Sequence, residues 1–195
     1  MKRKKKLPLL KREDRTCGEC FACCYVLAIQ DIPVGKVKPA GQDCPHLARE
    51  SEHPCSIYAE RPRTCVDYQC AWVREAGFGD VEHRPDKIGV LFTPRDNKWE
   101  VEPFAGPFTL IAHETRAGAY AEEAAANFME HVAGHFIVLA FHGPKLDKCR
   151  FMGPANKILA VSEWCQEHGY SQPTSILKGA TPSLDDQMRR RRSLV

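Results

Sequence analysis

No run of apolar residues in this chain approaches the ~20 that a membrane helix needs, so the sequence gives no reason to expect a membrane partner. Residues 1–12 begin with the positive charge of a signal peptide. They then offer only a four-residue apolar patch, interrupted by Pro8, before charge returns, and export is not expected. There is no Walker loop, no dinucleotide fingerprint and no Gly-x-Ser-x-Gly elbow, which removes support for nucleotide hydrolysis, hydride transfer and serine hydrolysis. Internal repeats are lacking too. Aromatic residues are missing from the two basic ends, Lys2 to Lys6 and Arg189 to Arg192, so these lack the base-stacking groups of a nucleic-acid surface and read as solubilising tails. Since the whole chain is only +3, the body between the tails is acidic.

Sulfur is what the chain has in abundance. Ten of its 195 residues are cysteine, and eight fall between positions 17 and 70: Cys17, Cys20, Cys23, Cys24, Cys44, Cys55, Cys65 and Cys70. The first four form a C-x-x-C-x-x-C-C run. Thiolates three residues apart curl around one ion or cluster, and a hydrophobic core has no reason to repeat sulfur with that period. In a cytoplasmic chain the thiols stay reduced unless metallated, which favours ligands over disulfides. All eight are therefore expected metal ligands. Zinc and iron both remain open as cofactors, the latter including a 4Fe-4S cluster, because the first three cysteines match the opening of a bacterial ferredoxin site while Cys44-Pro45 lies further along than ferredoxin spacing allows.

Partition of the eight is not set by spacing. On a continuous helix starting near Pro62, Cys65 and Cys70 would sit about 140° apart around the axis, so the helix must end between them or the two must serve different centres. Adjacent Cys23 and Cys24 do not easily point at one ion, which leaves one of them for a second site or a bridge.

The organisation expected is α+β, with a cysteine-rich, metal-stabilised N-terminal module packed on a small hairpin-and-helix core. Residues 1–15 form a basic lead-in, 16–75 the cysteine-rich module, 76–180 the core portion and 181–195 a basic tail. Residues 16–75 show no sustained period of 3.6 or 2 and read as loops and short turns ordered by ligation. Lys87 to Thr93 and Lys98 to Phe104, separated by Pro94-Arg95-Asp96-Asn97, predict a hairpin. Ala119 to Val132 predicts a helix stopped by Gly134, and Phe136 to Phe141 a buried central strand. Pro154 to Gly169 predicts a second helix with Ile158, Leu159, Val161, Trp164 and Cys165 apolar.

Cys17-Gly18-Glu19-Cys20-Phe21-Ala22-Cys23-Cys24, then Cys44-Pro45-His46-Leu47, then Tyr58-Ala59-Glu60-Arg61-Pro62-Arg63-Thr64-Cys65 leading to Cys70, resembles the bacterial CxxCxxCC cysteine-cluster family, described as zinc- or iron-chelating proteins. The likeness covers roughly the first 40% of the chain, and the Tyr-x-x-Arg-Pro-x-x-Cys stretch is present in full. The resemblance implies metal chelation. A flagellin lysine N-methylase resembles the same family, which implies that some members join an iron–sulfur site to methyl transfer. Arg61 and Arg63 would offset the roughly two negative charges of a four-thiolate zinc or oxidised four-iron centre. Tyr58 is expected to pack a helical turn against it.

Histidines are weaker candidates. His46 and His53 lie among the cysteines, as substitute ligands or hydrogen-bond donors to them. His131 and His135 share a helical spacing but lack the glutamate of a zinc-protease motif. Cys149 and Cys165 lie far from the cluster and read as packing residues. The expected function is thus a metal-binding cytoplasmic protein whose partner is a metal ion. The alternatives are an iron–sulfur enzyme of redox or methyl-transfer type and, with less behind it, a zinc-stabilised nucleic-acid adaptor.

Overall fold

The computed structural model of the chain describes residues 15–32, 36–51, 54–75, 78–94, 109–142 and 148–167. In chain order its elements are α1 (Ala22–Val26), β1 (Ile29–Ile32), β2 (Lys36–Lys38), α2 (Arg63–Asp67), α3 (Ala71–Arg74), α4 (Pro85–Ile88), β3 (Val90–Pro94), β4 (Thr109–Glu114), α5 (Glu123–Ala133), β5 (Ile137–His142), β6 (Lys148–Met152) and α6 (Ala155–Glu167). The class is mixed α and β, as the sequence leads one to expect.

Four strands make the principal sheet, in the order β3-β4-β5-β6. The outer pairs are antiparallel, while β4 and β5 are parallel, with Leu110 opposite Val138 and Ala112 opposite Ala140. A parallel pair cannot be joined by a tight turn, and α5 lies in the long connection between these two strands. Strand β5 is central, as predicted, and Ile137, Val138, Leu139 and Ala140 are all buried. Helix α5 buries Ala125, Phe128, Met129, Val132 and Ala133, a stripe at three- and four-residue intervals. Phe128 meets Phe92 and Phe78 edge to face, with ring centroids 5.7 and 5.5 Å apart.

Several expectations are revised. Lys87 and Ile88 are helical rather than extended; α4 ends at Gly89, whose left-handed backbone (φ 73°) releases the chain into β3. The pairing partner of β3 is β4, and the second half of the predicted hairpin, Lys98 to Phe104, lies outside the described residues. Helix α6 buries Val161 but leaves Leu159 58% exposed, so its apolar face is narrower than the sequence suggests.

Residues 16–75 also hold more regular structure than their irregular pattern predicts, namely three short α-helices, a 3-10 turn at Tyr58–Glu60 and the β1–β2 pair. Ala22, Val26, Ala71 and Trp72 belong to the same hydrophobic cluster as Val90, Phe92 and Val138. Burying a side chain such as Val26 contributes roughly 1.5–3 kcal/mol, so apolar packing anchors this segment at both ends of its cysteine run. Tyr68 adds a polar clasp, its hydroxyl 2.9 Å from Thr93 Oγ1 on β3.

Candidate functional site

Each cysteine is set by a short local device. Gly18 adopts φ 49°, and the Cys20 amide donates to the Cys17 carbonyl at 2.8 Å, which closes the first C-x-x-C into a turn. Cys23 and Cys24 sit in α1. The carbonyls at its C-terminal end are met by the buried Lys38, whose ammonium donates to Tyr25 O at 2.8 Å and to Leu27 O. The Cys44 amide donates to Cys24 O at 3.0 Å, and an isolated bridge between Leu47 and Cys55 lays the next cysteine alongside. Helix α2 begins after Pro62 and carries Cys65. It stops at Asp67, the backbone extends at Tyr68, and Cys70 becomes the N-cap of α3. The helix ends between Cys65 and Cys70, one of the two outcomes that their spacing allows.

These devices bring Cys17, Cys20, Cys23, Cys24, Cys44, Cys55, Cys65 and Cys70 to the wall of one cavity of about 530 Å³. All eight are free thiols. They surround the space without converging: among the described residues no three His, Cys, Asp or Glu side chains form a group that holds a metal ion as it stands. His46 shares the lining, and its Nε2 is buried with no hydrogen-bond partner among the described residues. Arg15, Arg61 and Arg84 supply cationic edges.

Electrostatics in the cavity follow from burial. Desolvation pushes the Cys20 thiol up to about 12 and Cys65 up to about 11, and raises Cys17, Cys55 and Cys70 as well. Cys24 is the exception. It accepts a hydrogen bond from Cys23, and with Lys38 and Arg61 nearby it is drawn down to about 7 despite its burial, while Cys23 is pushed well up. A set of thiols that burial keeps protonated ionises when a cation supplies the missing counter-charge, and the donor chemistry suits a thiophilic ion such as zinc or iron. Backbone amides already point at sulfur, those of Ala22 and Asp86 at Cys20 and that of Ile57 at Cys55.

Arg61 lines the cavity, and its charge acts to lower the pKa of Cys17, Cys24 and Cys55. It lies over the Tyr58 ring at 3.6 Å and donates from Nε to Tyr58 O. Tyr58 itself is 51% exposed rather than packed inward. Arg63 points to solvent and pairs with Asp67 at 2.7 Å, an exposed contact of little energetic weight.

Sequence reading passed over Lys38, Arg15, Arg84 and Asp86. Arg84 makes a two-pronged pair with Asp86 (2.7 and 2.8 Å), and Asp86 accepts from the Cys20 thiol. Arg15 ties the start of the cysteine run to the core by donating to Trp72 O, Phe78 O and Gly79 O. None of the four belongs to a spaced motif; only the adjacency of Arg84-Pro85-Asp86 to a helix start gave a local signal. His131 and His135 are both exposed, with rings 5.4 Å apart, away from the cavity lining. His53 and the side chains of Cys149 and Cys165 lie outside the described residues.

Comparison of the chain with protein-family models, with curated proteins and with solved structures returned no match.

Proposed function

We propose that this chain is a metal-binding protein that chelates zinc or iron through its clustered thiols in a reducing, cytoplasmic setting, and that the bound metal stiffens the segment from Cys17 to Cys70. One observation carries the reading: eight cysteines spread over 54 residues of sequence line the same cavity. Core packing does not account for it, because free cysteines used as small hydrophobes have no need to face a shared space. The unpartnered His46 Nε2 and the cationic edges support the same conclusion.

Metal content of anaerobically purified protein tests this. The expected result is tightly bound zinc or iron that Cys20→Ser removes and Cys165→Ser does not. A folded, metal-free wild-type protein that takes up neither ion on reconstitution refutes it.

A second reading has its own support. The cavity volume lies in the range of small-molecule sites and part of its wall is apolar, with Leu27, Ile29 and Leu91. An iron–sulfur centre with a neighbouring substrate would use that space, and a brown preparation with broad sulfur-to-iron absorption would favour this enzyme reading.

A further inference from the structure

The geometry points to two adjoining four-thiol centres within the cavity: an inner one of Cys17, Cys20, Cys23 and Cys70, seated on the hydrophobic core, and an outer one of Cys24, Cys44, Cys55 and Cys65, held by loops. This rests on the metal-binding reading and goes beyond it in assigning number, membership and unequal lability.

The core sorts the thiols. Cys70 is itself a core residue at 8% exposure, and Cys20 and Cys23 pack against the core, whereas none of the outer four belongs to that cluster. Cys17 joins Cys20 through the closed turn between them. Cys70 caps α3, whose Ala71 and Trp72 are fully or almost fully buried.

Loop hydrogen bonds gather the other four. Cys44 is tied to Cys24 by its amide, Cys55 is brought beside the Cys44 loop by its bridge to Leu47, and the Ser56 amide donates to His46 O at 2.9 Å. Cys65 rides on α2, where the Thr64 amide donates to Asp31 Oδ2 on β1. Electrostatic neighbours sort the same way for Cys20, Cys55, Cys65 and Cys70. Cys55 and Cys65 each feel Cys24 and Cys44, Cys20 feels Cys70, and Cys70 feels Cys17. The sets meet at Cys24, which faces Cys17 and Cys23.

Cys23 and Cys24, hydrogen-bonded to each other, stand at the seam, and the roughly 100° between adjacent helical residues lets each turn toward its own centre. Coordination requires side-chain rotation to draw each quartet onto its ion. The inner thiols close against packed residues, and the outer thiols close by moving loops. Metal therefore exchanges faster from the outer centre, where His46 lines the same cavity with an Nε2 that has no partner among the described residues.

The test is reconstitution of the full reduced chain with zinc, and with cobalt as a coloured reporter, followed by metal counting and by release to a competing chelator. Saturation at two ions per chain and biphasic release are expected. Cys55→Ser/Cys65→Ser should halve the metal content, abolish the fast phase and leave the far-ultraviolet circular dichroism of the sheet intact. Cys44→Ser alone should remove the same phase, a check that does not depend on the double variant folding. Saturation at one ion, or full retention or complete loss of metal in both outer variants while the fold persists, overturns the partition and leaves metal binding standing. Absence of any binding by the wild type overturns metal binding as well.

Discussion

Cys23 donates a hydrogen bond to the sulfur of Cys24, its neighbour in the chain, and the two thiols are driven in opposite directions by it. The acceptor gains a donor that stabilises its thiolate. The donor loses the freedom to ionise beside that charge.

In the metal-free protein Cys24 is accordingly expected to alkylate first, with a rate that rises through about pH 7, while Cys20 stays slow until far higher pH. Cys23→Ala removes the donor and should move the Cys24 profile upward. Peptide mapping after timed iodoacetamide exposure reads both, and an unmoved Cys24 profile in the variant would show that Lys38 and Arg61 alone set it.

Tyr68→Phe should cost about 1 kcal/mol by removing the hydroxyl contact to Thr93. Thr93→Val should cost a similar amount, and the double variant should cost less than the sum because one hydrogen bond is being removed twice. Denaturant midpoints at constant slope measure it; strict additivity would mean that the two hydroxyls act independently.

His113 gives the fold a predictable acid sensitivity. Its ring is buried on β4, its Nδ1 has no hydrogen-bond partner among the described residues, and desolvation lowers its pKa to about 4. The folded chain thus refuses a proton that the unfolded chain accepts below about pH 6.5. Stability is full above that value and falls between about 6.5 and 4, by about 3 kcal/mol. His113→Leu should flatten that part of the pH–stability curve relative to wild type. Parallel curves for the two proteins would remove His113 as the cause.

Gly89 and Gly118 share the left-handed backbone, φ 73° and 80°, and differ in surroundings. A β-carbon at Gly89 would lie 2.8 Å from Ala119 Cβ and from Arg116 Cζ; at Gly118 it would meet nothing within 4 Å. Each alanine substitution carries about 1–2 kcal/mol for the backbone alone. Gly89→Ala should lower the thermal midpoint further than Gly118→Ala, and the gap isolates the steric part. Equal shifts would mean that Arg116 and Ala119 both move aside without penalty.

The readable parts of this chain were those whose signal is periodic or compositional. Helix α5 declared itself by alanine and a 3.6-residue stripe, β5 by an unbroken apolar run between glycines, and helix geometry left a break between Cys65 and Cys70 as one of two outcomes. What stayed hidden depends on contacts remote in sequence. Ala22 and Trp72 look unremarkable where they stand, and only the sheet that covers them makes them anchors. Lys38 reads as one more loop lysine until α1 presents it with carbonyls. Clustering of the cysteines in sequence suggested a site, but their sorting by depth required the core to be in place.

The sheet that seats the inner thiols is encoded after them. Helix α1 precedes β3, and β3 cannot complete its sheet until β4 and β5 have followed. At about 5–20 residues per second the thiols of a growing chain spend on the order of ten seconds without their platform. During that interval Cys17 to Cys70 are ordinary exposed sulfur, open to oxidation and to any thiophilic ion within reach. Synthesis order thus sets a window of vulnerability that closes for Cys70 once it is buried in the core beside Ala71 and Trp72.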